Sequence, residues 1–326
     1  MHHKRYFIRL CVILLFLLSG ILLLGCSSKA QSSSQKQSAK KESVKVKSSG
    51  TKGKRNHTSK VLSPEAPGIV VLGSSPLTID ISNKDQGYVT ALYTGTAAKA
   101  NIQITGPDNI TYKYFIYTPN ESVTLPLTGG NGSYTIAAYE NIVDNKYASL
   151  YKETIDVSLE SEFLPYLYPN QYVDFNAETK AVATASEIVK DMPTDLEAVS
   201  AIYHYIIKNI VYDDEKAKNV KSGYLPNVDE TLESKKGICF DYAALTAAML
   251  RSQNIPTRLE IGYSGKIYHS WISVYIKDIG WIDRLIEFTG DGWTRMDPTF
   301  ASSNNNNKKI LKYIGDGSNY TLQYLH

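Results

Sequence analysis

Three side chains in the C-terminal half of the chain could together perform nucleophilic chemistry: Cys239, His269 and Asp297. A cysteine thiolate is a strong nucleophile, an imidazole can take and return its proton, and a carboxylate can hold the second imidazole nitrogen. Each of these residue types is more often structural when it stands alone. Their joint occurrence in this order therefore favours attack by sulfur on a carbonyl group.

The residues around Cys239 predict that it lies at the beginning of a helix. Residues 241–253 carry apolar side chains at helical spacing without Pro or Gly, and Gly237 provides a flexible entry. The unpaired N–H groups and the positive dipole end at a helix N-terminus favour a thiolate. We therefore expect Cys239 to ionise more readily than an ordinary cysteine.

The residues around His269 predict a strand. Residues 257–263 and 268–276 both show the alternation of a half-buried strand, which places His269 near the beginning of the second one. Upstream, residues 180–192 and 195–210 have helical periodicity, and Thr194 with Glu197 forms a capping-box pattern. Residues 215–232, between these helices and Cys239, are expected to form a loop. Helices followed by an antiparallel sheet indicate an α+β domain.

The third member of the group has two candidates. Asp297 closes a predicted strand at residues 292–299 and is followed by Pro and Thr. Asp283 is the alternative, because it also follows a Gly-Trp pair and lies closer to His269 in sequence. We favour Asp297 and expect residues 278–292 to form a hairpin extension beside the cleft.

The region before these helices has a different character. Between residues 67 and 159, about seven short alternating segments are separated by turns rich in Gly, Asn, Asp and Pro, which predicts a β-sandwich. We assign residues 64–160 to this domain and residues 161–326 to the α+β domain. The apolar segment 163–169 is expected to pack between them. No catalytic residues can be recognised in the sequence of the β domain, which is either a spacer or a recognition module.

The first 26 residues have the features of an export signal: a basic start, an apolar core and a cut site at Cys26. The tetrapeptide ending at Cys26 resembles the lipobox of bacterial lipoproteins, which implies that Cys26 is lipidated and becomes the mature N-terminus. An uncleaved membrane anchor is the alternative. In both cases the rest is expected to be exported and held at the outer face of the cell membrane. Residues 27–63 are rich in Ser and Lys and predict a disordered linker.

Composition excludes two classes of partner. The whole chain has a net charge of +3, but residues 63–326 hold 22 Lys and Arg against 31 Asp and Glu, a net charge of −9. Such an acidic domain does not fit nucleic acid. Once Cys11 leaves with the signal and Cys26 is lipidated, Cys239 is the single remaining thiol, so we expect no structural metal site and no cofactor.

The motifs that carry the three residues resemble those of the bacterial branch of the transglutaminase-like superfamily. They are Gly-Ile-Cys-Phe-Asp-Tyr-Ala at Cys239, Arg-x-x-x-Gly-Tyr before His269, His-Ser-Trp-Ile-x-Val at His269, and Gly-Trp-x-x-Met-Asp-Pro-Thr at Asp297. The resemblance covers residues 175–300 and implies a papain-like fold with a Cys-His-Asp triad. It gives no support to the N-terminal β region.

Two functions follow from this resemblance. The first is a surface-anchored cysteine acyl-transferase or hydrolase that attacks peptide or isopeptide amides through a thioester, with hydrolysis preferred over transamidation. Its partner is a protein or peptide, including one associated with the cell wall. The oxyanion would bind the Cys239 N–H and a second donor that the sequence does not identify. The alternative is a non-catalytic surface scaffold that retains an idle triad.

Overall fold

Two antiparallel sheets form the N-terminal part of the molecule. The computed structural model describes residue 55 and residues 58–277, 279–286 and 320–326. The strands are β1 (Val71–Ser74), β2 (Leu77–Asp80), β3 (Tyr88–Tyr93), β4 (Ala100–Thr105), β5 (Thr111–Ile116), β6 (Ser122–Pro126), β7 (Gly132–Val143) and β8 (Lys146–Val157). The sheet orders are β1-β2-β3-β6 and β5-β4-β7-β8, and residues of both sheets share one apolar core. This is the predicted sandwich. Strand β1 was not predicted because its side chains are mostly exposed and lack the alternation of a half-buried strand.

Strand β5 forms one edge of the second sheet. Its residues alternate in burial: Tyr112 and Tyr114 point into the sandwich, whereas Lys113 is exposed and Phe115 is half-buried on the opposite face. The outward face of β5 is therefore turned toward the rest of the chain.

The C-terminal part contains helices packed on a four-stranded antiparallel sheet. The helices are α1 (Lys180–Val189), α2 (Asp195–Asn209), α3 (Asp214–Asn219), α4 (Val228–Ser234) and α5 (Cys239–Arg251); the strands are β9 (Val211–Tyr212), β10 (Lys236–Gly237), β11 (Thr257–Ser264), β12 (Ile267–Ile276), β13 (Gly280–Ile286) and β14 (Tyr320–Leu325). The sheet order is β13-β12-β11-β14. This arrangement agrees with the predicted α+β class. The stretch 215–232, predicted as a loop, instead contains part of α3 and most of α4.

Helix α5 is the centre of this part. All of its residues from Asp241 to Arg251 are buried, and they share a core with α1, α2 and the sheet. Four alanines at positions 243, 244, 247 and 248 allow the neighbouring elements to approach closely. A helix that is buried all round fixes its first residue firmly, which matters because that residue is Cys239.

Local signals set the bounds of α2 as predicted. The backbone N–H of Glu197 donates to the Thr194 hydroxyl at 3.2 Å, and that hydroxyl in turn donates to the Glu197 carboxylate at 2.7 Å. These contacts satisfy one of the free N–H groups of the first helical turn.

Segment 163–169 packs between the two parts, which confirms the prediction. The Phe163 ring lies 4.3 Å from that of Tyr275 in the C-terminal sheet. The Tyr166 hydroxyl donates to the Thr128 carbonyl of the sandwich at 3.3 Å. The sandwich is thus held against the C-terminal part by packed aromatic side chains and hydrogen bonds.

The predicted linker, residues 27–63, requires a correction at its C-terminal end. The Arg55 side chain is buried and donates to Asp195 at 2.9 Å, and the Lys60 N–H donates to the Ser252 carbonyl at 2.9 Å. These contacts hold the segment against α2 and the end of α5, because a buried guanidinium needs a partner. The signal, Cys26 and most of the linker lie outside the described residues. Within the described ranges, no helix has the length and apolarity needed to cross a membrane.

Candidate active site

A cavity of about 660 Å³ brings the predicted cysteine and histidine together. Cys239 and His269 both line it, and Cys239 is half-buried, so the cavity provides a route to the sulfur. The cavity lies between the sandwich and the C-terminal part. The arrangement needed for nucleophilic attack, a thiol and an imidazole facing one space, is therefore present.

The first turn of α5 positions Cys239. Cys239 is the first helical residue, and the preceding Ile238 has an extended backbone. The Asp241 carboxylate accepts a hydrogen bond from the Ile238 N–H at 2.8 Å. Since an isoleucine side chain has no acceptor, Asp241 alone provides the reciprocal half of a capping box.

The thiol is less easily ionised than the sequence suggests. Burial raises the pKa of Cys239, and the nearby Asp241 charge acts in the same direction. Hydrogen bonds from the backbone and hydroxyl of Ser270 and from the backbone of Phe240 act against this but do not reverse it. The prediction of a readily ionised thiol is thus wrong for these surroundings, because desolvation outweighs the hydrogen bonds that the sulfur receives.

His269 lies on β12 with its ring buried. Its side chain is 6% exposed, and burial lowers its pKa to about 4. Its Nε2 has no hydrogen-bond partner among the described residues. The next residue, Ser270, contacts the Cys239 sulfur, so β12 runs past the nucleophile. The predicted third residue, Asp297, and the side chain of the alternative, Asp283, lie outside the described residues.

Asp241, which the sequence motifs did not single out, connects Cys239 to the segment that follows α2. Its fully buried carboxylate lies 2.8 Å from the Lys216 ammonium and accepts a hydrogen bond from the Tyr224 hydroxyl. The Lys216 ammonium also donates to the Tyr224 hydroxyl at 2.6 Å. This network ties the start of α5 to residues 216–224. The one feature of the sequence that points to this network is an acidic residue at the third position of α5.

We expect Asp241→Asn to lower the free energy of unfolding by about 2–3 kcal/mol, because it leaves the Lys216 ammonium without its charged partner. The loss is smaller than for a fully buried ion pair because the Lys216 side chain is partly hydrated. Urea unfolding measures the loss. The control is Glu215→Gln, which removes an exposed ion pair with Lys218 in the same segment and should cost less than about 1 kcal/mol. Equal losses in the two variants would contradict the role given to Asp241.

Tyr212 is a second neighbour of the sulfur. Strands β9 and β10 pair in parallel and place Tyr212 opposite Gly237. Burial raises the pKa of Tyr212 to about 12, and the negative charge of an ionised Cys239 contributes to this shift. A Cβ atom at Gly237 would lie 2.7 Å from the Cβ of Asp241, so the close approach requires glycine there. Gly237, which leads into α5, is therefore packed against both Tyr212 and Asp241.

The sandwich forms the other wall of the cavity. Tyr112, Lys113, Phe115 and Tyr117, from β5 and the residue after it, line the same space as Cys239. Of the two roles left open for the β domain, this placement favours recognition over a spacer.

His326 lines the cavity and lies among aromatic rings. Its ring lies 4.2 Å from that of Tyr172 and 5.5 Å from that of Tyr112, and its main-chain oxygen accepts from Arg251 at 2.8 Å. Burial, followed by the Arg251 charge, lowers the pKa of His326 to about 3. The imidazole is therefore neutral in the folded protein throughout the physiological range.

This burial predicts a loss of stability in acid. The unfolded chain binds a proton at His326 near pH 6.5, whereas the folded protein does so only near pH 3. Stability from this residue is complete above pH 6.5 and is lost as the pH falls toward 3. Between pH 7 and pH 5 we expect the wild type to lose about 2 kcal/mol more than His326→Gln in urea unfolding. Identical pH dependence in both proteins would contradict this.

A helix that begins with the cysteine, packed on a sheet whose strand carries the histidine, agrees with the papain-like fold implied by the motifs. Residues 182–298 match the transglutaminase-like superfamily. The chain therefore carries a domain of the transglutaminase-like superfamily.

Several other proteins are similar to parts of this chain. UPF0252 protein MJ1282 of Methanocaldococcus jannaschii is 28% identical over 222 residues, which span 61% of this chain and 62% of that protein. A candidate cysteine protease from Cytophaga hutchinsonii is 15% identical over 65% of this chain and 77% of its own, with a TM-score of 0.34. Red sea bream transglutaminase is 13% identical over 65% of this chain and 48% of its own, with a TM-score of 0.25.

Proposed function

We propose that the protein is a cysteine acyl-transferase or hydrolase that attacks peptide or isopeptide amides through a thioester on Cys239, with hydrolysis preferred over transamidation. The observation that carries this proposal is that Cys239 and His269 face one cavity large enough for a peptide segment. Water is the default acceptor of the acyl group. No feature of the sequence marks a site for a competing amine.

The roles follow from the chemistry of each group. The Cys239 sulfur attacks the amide carbonyl while His269 takes the thiol proton, and the imidazolium then protonates the leaving amine. Water finally attacks the thioester and gives a proton to His269; as the carbon–sulfur bond breaks and the acid is released, the imidazolium returns that proton to the Cys239 sulfur. The backbone N–H of Cys239 stabilises the oxyanion. Asp297 is proposed to hold the second nitrogen of His269, which accounts for an Nε2 that lacks a partner among the described residues.

The local pKa directions favour proton transfer during attack over a permanent ion pair. Burial raises the pKa of Cys239 and lowers that of His269, so these surroundings favour a neutral thiol beside a neutral imidazole. A neutral imidazole is the form that can accept a proton. An added carboxylate at Nε2 would stabilise the imidazolium that results.

The acyl-enzyme is the intermediate that tests this proposal. Blocked peptides containing glutamine are incubated with the protein, quenched in acid and analysed by mass spectrometry. We expect the acyl group on the peptide that contains Cys239 and, over time, a product that carries ¹⁸O from labelled water. An acyl-enzyme that reacts only with an added amine, to give a stable amide, would overturn the preference for hydrolysis. The absence of an adduct on Cys239 with all of the tested peptides would overturn the proposal that the protein is an enzyme.

A scaffold with an idle triad is the second candidate. The raised pKa of Cys239 favours it, because a protonated thiol is a poor nucleophile. In that case the cavity would bind a partner without turnover.

We also propose that the protein is exported and lipid-anchored at Cys26, with its folded part at the outer face of the membrane. The support is the basic start, apolar core and lipobox-like tetrapeptide of residues 1–26. Fatty-acid labelling of cells should mark the wild type and not Cys26→Ala; labelling of both would exclude this site.

A further inference from the structure

We propose that the cavity selects substrates that carry a carboxylate group close to the attacked amide, through Lys113 of the sandwich and Lys221 of the segment after α3. This inference rests on the proposed function, since it names the substrate class of the same site.

The charge of the cavity differs from that of the domain around it. Residues 63–326 carry a net charge of −9, yet Lys113 and Lys221 both line the cavity and no Asp or Glu is among its described lining residues. Neither ammonium forms an ion pair with a described carboxylate. Two lysines without such partners in a partly enclosed space attract anions more strongly than they would in open solvent.

The carboxylate of Asp241, close to the sulfur, is fully buried and paired with Lys216, and two other acidic residues near the cavity lie in a separate crevice. Glu121 and Asp174 line the adjoining crevice of about 630 Å³, which shares Phe115 and Tyr117 with the cavity but does not include Cys239. Neither lysine lines this acidic crevice, whereas both line the compartment in which the sulfur lies. Lys221 also lines a neighbouring surface depression together with Lys216. A carboxylate beside the attacked amide fits this separation of charge.

Both lysines are exposed; Lys113 lies on a strand and Lys221 lies just before the turn that follows α3. Lys113 projects from β5 between two core tyrosines. The segment that carries Lys221 contacts the sandwich at Gly223, where an added Cβ would lie only 2.2 Å from the Tyr117 hydroxyl. Gly223 also has a φ of +86°, a conformation that other residues rarely adopt. The two lysines therefore come from two different parts of the chain that line the same cavity.

The aromatic lining supplies contact area for the rest of the substrate. Phe115, Tyr117, Tyr224, Phe240 and Tyr268 all face the cavity. Flat rings without charge bind backbone and apolar side chains but do not choose between an acidic and a neutral substrate. The choice is left to the two lysines.

Binding to Cys239→Ala tests the inference without turnover. The probes are two acetylated, amidated hexapeptides with the same central glutamine, flanked by two glutamates in one and by two glutamines in the other. Calorimetry at low salt should give about tenfold tighter binding of the acidic peptide. Lys113→Gln with Lys221→Gln should abolish this preference. Lys152→Gln, on the exposed face of β8, should preserve it.

The outcomes separate this inference from the proposed function. Equal affinities for the two peptides, a preference that survives in the double variant, or no measurable binding of either peptide would overturn it. If the acidic peptide binds more tightly as expected but Cys239 never forms an acyl-enzyme, the selection of acidic partners is supported and the proposed catalytic function is rejected. If an acyl-enzyme forms but the two peptides bind with equal affinity, the catalytic function is supported and the selection of acidic substrates is rejected.

Discussion

Replacing Cys239 with alanine is expected to abolish amide turnover, lowering kcat by about 10⁶. The reason is that the other groups in the cavity can only assist an attack that the sulfur makes. Peptide cleavage followed by mass spectrometry measures the loss. The removed side chain is half-buried and small, so folding should be nearly unchanged.

A thermal midpoint within about 4 °C of the wild type would show that Cys239→Ala is folded. Cys239→Ser provides the matched variant, because it keeps the size of the side chain but supplies a much weaker nucleophile. Turnover by Cys239→Ala at a rate near that of the wild type would contradict the assignment of the nucleophile.

Replacing Arg251 with methionine is expected to lower the free energy of unfolding by about 3–5 kcal/mol. The fully buried guanidinium donates to the Thr257 carbonyl at 2.8 Å, the Tyr168 carbonyl at 2.8 Å and the His326 main-chain oxygen at 2.8 Å. Methionine fills the space but removes all three donated hydrogen bonds, although the His326 oxygen still accepts from the Leu259 N–H at 2.7 Å. The thermal midpoint should fall by roughly 10 °C.

The control for this loss is Arg258→Met. Arg258 lies 3.6 Å above the Trp281 ring and 4.9 Å from the Tyr166 ring, so its substitution removes stacking without removing the three hydrogen bonds of Arg251. We expect a loss of about 1–2 kcal/mol. Equal midpoints for the two variants would mean that the hydrogen bonds of Arg251 do not hold β14 and segment 163–169 to α5.

Local signals were sufficient for most of the elements. Alternation predicted strands β2 to β8, helical spacing predicted α1, α2 and α5, and the Thr194–Glu197 pattern predicted the start of α2. Strands β11 and β12 were also predicted, and so was the place of His269 on the second of them. These features depend on residues close together in sequence, which is why they could be read directly.

Contacts between distant residues were not predictable in this way. The high pKa of Cys239 arises from burial by several elements, and no pattern around the cysteine reports it. The placement of Lys113 and Phe115 in the same cavity as Cys239 depends on how the sandwich docks. The ion pair between Lys216 and Asp241 joins residues in a segment predicted as loop to the first turn of α5. Each of these features depends on tertiary packing, which the local sequence does not report.

The central claim is that His269 activates Cys239, and alkylation by iodoacetamide at neutral pH tests it most directly. Labelling of Cys239 is followed by mass spectrometry in the wild type, in His269→Ala and in His204→Ala, whose ring lies on α2 outside the cavity. The account predicts that His269→Ala slows labelling by about 10²-fold, that His204→Ala leaves it unchanged, and that the difference narrows at alkaline pH where the thiol ionises unaided. Equal, slow labelling of all three proteins at neutral pH would contradict it.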